Sequence, residues 1–122
     1  MKECSFQIQF GHWVKANMKE SAAFELKSVK GSSCPFNAVQ EHQVAALKRV
    51  EDGLLYHKIP DVGFQNPFDC FTLYKCPAYV VIRYGSGTWY AIRIYTFAKE
   101  MEASKRKSLT EERALEICSF KG

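Results

Sequence analysis

Apolar residues recur at helical spacing near the start of the chain. Phe6, Phe10, Trp13 and Val14 share one face of a helix predicted over residues 4–17, although Ile8 lies off that face and Phe6, Ile8 and Phe10 also fit strand alternation. Ser21 to Val29 alternates with a period of two. Ala22, Phe24 and Leu26 point one way and Ala23, Glu25 and Lys27 the other, which predicts a strand. After a loop at Gly31-Ser32-Ser33, Asn37 is placed to cap a helix that runs to Asp52 and stops at Gly53. Its apolar stripe is Val39, Ala46, Leu47 and Val50.

The second half reads as strands. Leu54 to Ile59 is closed by Pro60-Asp61-Val62-Gly63, and Phe68 to Tyr74 places Asp69, Phe71 and Leu73 on one face. Tyr79 to Tyr84 opens with a continuous apolar run, the pattern of a strand covered on both faces. Gly85-Ser86-Gly87 is a hairpin turn, and Trp89 to Tyr95 returns. A charged stretch follows Phe97, from Lys99 to Lys107, and Ser108 with Glu111 forms a capping box for a last helix over 109–119. Helix, strand, helix, four strands, helix predicts an α/β (α+β) domain over residues 1–122, with a single mixed β-sheet flanked by helices.

Composition narrows the class. The 122 residues are 47% apolar and 25% charged, an ordinary globular balance. A net charge of +4 suits a nucleic-acid partner without requiring one. No apolar run reaches the ~18 residues of a membrane span, and the opening Met1 to Gln7 lacks the apolar segment of a secretory signal. The expectation is a cytoplasmic protein with no membrane partner. The five cysteines are odd in number and form no C-x-x-C pair, and the three histidines are scattered. Both observations favour reduced thiols over a zinc site.

Two features carry chemistry. Glu25 and Lys27 share a strand face, where a carboxylate can hold a divalent metal and a lysine can orient a water or stabilise charge on a phosphate. The same tripeptide also fits a surface ion pair. Gln43 is a polar residue on the face of its helix that should be buried, so its amide needs partners or costs about 1–3 kcal/mol. It suits either a satisfied core glutamine or the border of a polar site where the helix crosses the Glu25 strand.

Phe24-Glu25-Leu26-Lys27, then Pro35-Phe36, then Glu41-His42-Gln43 resembles the PD-(D/E)XK nuclease superfamily, most closely the RecU-type Holliday-junction resolvases. The resemblance covers residues 21 to 50 and, more loosely, Tyr79 to Phe97. It implies a restriction-endonuclease-like fold and a Mg²⁺- or Mn²⁺-dependent endonuclease, of phage type, that cuts DNA four-way junctions to leave a 5′-phosphate and a 3′-hydroxyl. It also implies a homodimer, because two strands must be cut symmetrically. Glu25 would hold the metal, Lys27 would orient the attacking water, and Gln43 would position a water or a phosphate oxygen.

One departure matters. The family places a metal-binding aspartate on a strand before the E-x-K strand, and here no aspartate precedes Asp52. Either the chain is an inactive relative, or the acid arrives from later in the chain. Tyr56 to Pro60 followed by Pro67-Phe68-Asp69 resembles the displaced hairpin, so a permuted strand order would let Asp69 complete the metal site with Glu25. Asp61, at a strand end, is the rival. Lys15, Lys30, Lys48 and Arg49 are candidate DNA-phosphate contacts, with Lys19 and the run Lys105-Arg106-Lys107 as further basic residues. Glu3 and Glu20 are further acids near the first helix. The first helix (Phe6, Phe10, Trp13) and the late strands (Trp89, Tyr95) are the candidate dimer faces. The alternatives are another nuclease of the superfamily, for repair or restriction, and a non-catalytic nucleic-acid-binding or inhibitor relative.

Overall fold

The apolar run Ala78–Arg83 is buried along its whole length and forms the strand around which the layers assemble. A computed structural model describes residues 3–58 and 70–122. In chain order the elements are α1 (Glu3–Asn17), β1 (Ala23–Ser28), β2 (Ser33–Pro35), a 3-10 turn (Phe36–Ala38), α2 (Glu41–Asp52), β3 (Leu54–Lys58) and β4 (Cys70–Tyr74). They continue as β5 (Ala78–Arg83), β6 (Trp89–Arg93), α3 (Ile94–Ala103), β7 (Ser108–Thr110), α4 (Glu111–Ile117) and β8 (Phe120–Lys121). The class is mixed α/β, with four helices among the described residues.

The main sheet has the order β1-β5-β6-β8. β1 runs parallel to β5, with Glu25 opposite Val80 and Lys27 opposite Ile82. β6 is antiparallel to both β5 and β8. Alternation along β5 sends Tyr79 and Val81 to one core, with Phe6 and Phe10 of α1 and Trp89 and Ala91 of β6. Ala78, Val80 and Ile82 go to the other, with Val44, Leu47 and Val50 of α2 and Ile94 and Phe97 of α3. The result is three layers: α1, the sheet, then α2 with α3.

Four sequence expectations change. The single sheet becomes three, because β2 pairs only with β7 and β3 only with β4. The chain leaves β4 through Lys75, whose φ of 47° is left-handed. Hydrogen bonds from Lys75 N–H to Gly53 O and from Cys76 N–H to Val50 O fasten that turn to the end of α2. This separates the β3–β4 ribbon from the main sheet.

The second change is at the start of α2. Asn37 lies in the 3-10 turn, and Gln40 is the cap residue, its N–H held by the Gln43 side chain. Val44 rather than Ala46 completes the buried stripe, and Val39 precedes the helix. Third, the return strand ends at Arg93 and Tyr95 belongs to α3. Ile94, Phe97, Ala98 and Met101 make a helical stripe, and the charges after Phe97 form its solvated side. Fourth, Ser108 sits in β7, and Thr110 caps α4, its side chain accepting from Arg113 N–H at 3.2 Å. That helix ends at Ile117, because Phe120 and Lys121 turn back to pair with β6.

Packing leaves no room for a side chain at Gly85. A Cβ on Gly85 would lie 2.0 Å from Lys30 O, where the turn after β5 meets the loop after β1.

Candidate functional site

β1 is an outer strand of the main sheet, and its odd-numbered residues face α2. Glu25 and Lys27 therefore share a face, as the alternation predicts. Lys27 Nζ lies 3.9 Å from Glu25 Oε2, and the two side chains keep 17% (Lys27) and 26% (Glu25) of their exposure. They are sheltered yet open to a small solute. At that separation the pair attracts without a tight hydrogen bond. Glu25 accepts no hydrogen bond among the described residues, so its carboxylate keeps acceptor sites for a hard cation such as Mg²⁺.

The surroundings are electrostatically simple. Burial pushes the neighbouring Cys34 thiol up to about 11, and the positive charge of Lys27 pulls it partly back. Cys34 is therefore neutral at physiological pH and is no nucleophile.

α2 follows β1 and leads back towards the start of β5. Its end touches that start, where Glu51 Oε1 accepts from Ala78 N–H at 3.1 Å. The helix thus runs antiparallel to both strands. Its first turn, with Gln43, lies toward the end of the sheet where β1 finishes, the Lys27 end. Gln43 finds its polar partner inside the helix: its Oε1 accepts from Gln40 N–H at 2.9 Å. The half-buried amide is thereby satisfied on its oxygen, and its NH₂ remains to donate.

Asp69 and Asp61 lie outside the described residues. The strand that follows Asp69, Cys70–Tyr74, pairs with β3, and β1 takes β5 as its hydrogen-bonded neighbour. The described part of that strand therefore lies beside β3 rather than beside the Glu25 strand. Among the described residues no three His, Cys, Asp or Glu side chains are grouped to hold a metal. Of the two expected metal ligands, Glu25 is the one the structure describes.

The candidate phosphate contacts divide between layers. Lys30 is exposed just beyond β1, near the Lys27 end. Arg49 is exposed on α2, and Lys48 lies with its Nζ 5.5 Å from the centre of the Tyr95 ring. Lys15 is exposed on α1, which covers the opposite face of the sheet from Glu25 and Lys27. Phe6, Phe10 and Trp89 are buried between α1 and the sheet, so they are not available as a dimer face. Tyr95 stays 43% exposed.

One buried polar group escaped the sequence reading. Arg83 ends the apolar run of β5 and is 3% exposed. Its guanidinium donates to Gln9 Oε1 and lies 4.9 Å from the centre of the Phe6 ring, while Nη2 has no partner among the described residues. A cation closing a buried strand was its signal in the sequence.

These features define a mixed α/β protein with a carboxylate–ammonium pair on an outer strand beneath a crossover helix. No described helix is long and apolar enough to cross a membrane. Comparison with protein-family models, curated proteins and solved structures finds no match.

Proposed function

We propose that this protein is a metal-dependent, structure-specific DNA endonuclease of the PD-(D/E)XK type, resembling the phage Holliday-junction resolvases, with a restriction-endonuclease-like core. The observation that carries the reading is the Glu25–Lys27 pair: two adjacent, partly open groups on one face of β1, inside a strand–helix–strand unit with Gln43 in the first helical turn.

Glu25 would hold Mg²⁺ or Mn²⁺ together with Asp69, and Asp61 is the alternative second ligand. When bound, such an ion supplies a Lewis acid for a phosphodiester oxygen and lowers the pKa of a coordinated water. Lys27 carries a positive charge beside that position. There it orients the attacking water and stabilises the charge that develops on the phosphate. Gln43 keeps its NH₂ group to donate to a water or a phosphate oxygen. Lys30, close to the Lys27 end of β1, contacts the backbone of the bound DNA. Symmetric cutting of a four-way junction calls for a two-fold homodimer.

The test incubates the protein and Mg²⁺ with a four-way junction or, at equal concentration, a linear duplex. Cleavage of the junction is expected, with Glu25→Gln and Lys27→Ala each lowering it at least a hundredfold and leaving junction binding within about threefold. Equal cutting of linear duplex would point to a repair or restriction-like nuclease. A fully active Lys27→Ala protein would refute its role, and binding without any cleavage would favour the non-catalytic relative.

A further inference from the structure

On the other flank of α2 lies a groove of about 970 Å³. One wall is the first half of α2, and the other is the end of α3 with the segment leading into β7. α3 packs over the central strands β5 and β6, whereas Glu25 and Lys27 sit on the outer strand β1. The groove is thus separate from the site described above, and neither Glu25 nor Lys27 lines it.

Its chemistry has two parts. The floor is apolar, from Phe36, Val39, Val44 and Met101. The walls carry four cations: Lys48 from α2, facing Lys105, Arg106 and Lys107 from the segment after α3. None of the four belongs to an ion pair among the described residues, although Arg93 and Arg113 nearby are each matched to carboxylates. Glu41 is the single acid lining the groove. Charge is therefore spread along both walls without an ion-pair partner among the described residues.

We infer that this groove holds a single strand of nucleic acid, with its phosphates on Lys48, Lys105, Arg106 and Lys107 and its bases against the apolar floor. Cations distributed along two walls suit a repeating anion better than one phosphate group. The floor decides between one strand and two. A duplex hides its base faces in the stack and would leave the apolar floor without a partner. Unpaired bases can lie on such a floor while the backbone follows the positive rim. Tyr95, 43% exposed, lies with its ring centre 5.5 Å from Lys48 Nζ and offers an aromatic face beside that lysine. The choice of nucleic acid over another polyanion rests on the nuclease reading, and a groove for a single strand would let such an enzyme grip an unpaired arm of a branched substrate.

The experiment measures binding of the full chain, with EDTA present, to a labelled thymidine dodecamer, to a blunt duplex and to phosphatidylserine vesicles. The dodecamer should bind more tightly than the duplex. Replacing Lys105, Arg106 and Lys107 together by Ala should weaken its binding at least tenfold. The slope of log K against log salt should fall by about 2, from roughly 0.7 for each lost single-strand contact. Lys48→Ala, on the facing wall, should weaken binding several-fold on its own, and Lys121→Ala, on β8, should not. Circular dichroism confirms that each variant is folded, and Lys48→Ala keeps the test decisive if the triple variant is not. Binding unchanged in both groove variants, preference for duplex, or preference for the vesicles would overturn the assignment. Groove-dependent binding without Mg²⁺-dependent cleavage would retire the nuclease reading and leave the groove. Junction cleavage with binding untouched by the groove variants would do the reverse.

Discussion

Gln43 is the residue at which a structural and a chemical role separate most cleanly. Its Oε1 accepts from the Gln40 N–H, and the Gln43 N–H donates to the Gln40 backbone carbonyl, which closes the first turn of α2. Gln43→Ala removes that side-chain bond and leaves the Gln40 N–H without its partner. The loss of a cap costs about 1 kcal/mol, within about 0.5–2. For 122 residues the unfolding entropy near the midpoint is about 0.26 kcal/mol/K, so each kcal/mol shifts Tm by about 4 °C. The expected fall is about 2–8 °C, followed by thermal unfolding at 222 nm.

Gln43→Glu keeps an acceptor for the Gln40 N–H. It also adds a negative charge where the helix dipole favours one, worth about 0.3–1 kcal/mol. Its Tm should match the wild type or exceed it by up to about 4 °C. The amide NH₂ is lost, however, and a carboxylate stands where a phosphate or water would be held. Junction cleavage by Gln43→Glu should therefore fall at least tenfold in a protein that is no less stable. A Gln43→Ala protein that melts with the wild type would refute the capping argument. A stable Gln43→Glu protein that cuts at the wild-type rate would confine Gln43 to capping.

Arg83→Met should raise the midpoint by about 4–12 °C, since it removes a buried cation with an unpartnered Nη2 while keeping the length of the side chain. Relief of several kcal/mol of desolvation outweighs a ring contact and one charged hydrogen bond, and a lowered midpoint would show that those contacts win. Cys34 keeps its proton up to about 11 because it is buried, so its contribution to stability is complete below about 9 and is lost as pH rises from 9 through 11. Urea unfolding across that window should show the loss in the wild type and a smaller one in Cys34→Ala; equal losses would place the titration elsewhere. In the folded protein at pH 8, iodoacetamide should spare Cys34 and label the half-buried Cys70, Cys76 and Cys118 first.

Local periodicity carried much of the outline. The helix through Phe6, Phe10, Trp13 and Val14 is α1, and the run from Tyr79 is the buried β5. The shared face of Glu25 and Lys27 followed from a repeat of two, which depends only on the pleat of one strand. Neighbouring residues alone do not decide every element. Ile92 and Ile94 continue a strand pattern, yet Ile94 opens α3, because Phe97 and Met101 bury against a core that also contains residues of α2. Asn37 has good cap chemistry, but Phe36 is buried and holds that stretch as a 3-10 turn, which leaves the cap to Gln40. Of the strand partners, the two hairpins were legible from their turns, β5 with β6 and β3 with β4, whereas the parallel pairing of β1 with β5 and the short β2–β7 and β6–β8 pairings were not. Period-two alternation reports which face a side chain takes, not which strand lies alongside. The β3–β4 ribbon stands apart from the sheet because the turn at Lys75 and Cys76 is hydrogen-bonded to the end of α2, a contact between residues far apart in the chain. For the same reason the sequence names Glu25, Lys27 and Gln43 and puts the first two on one face. Tertiary packing decides that this face lies beneath α2, that Gln43 spends its oxygen on the helix cap, and that Lys15 falls on the far side of the sheet.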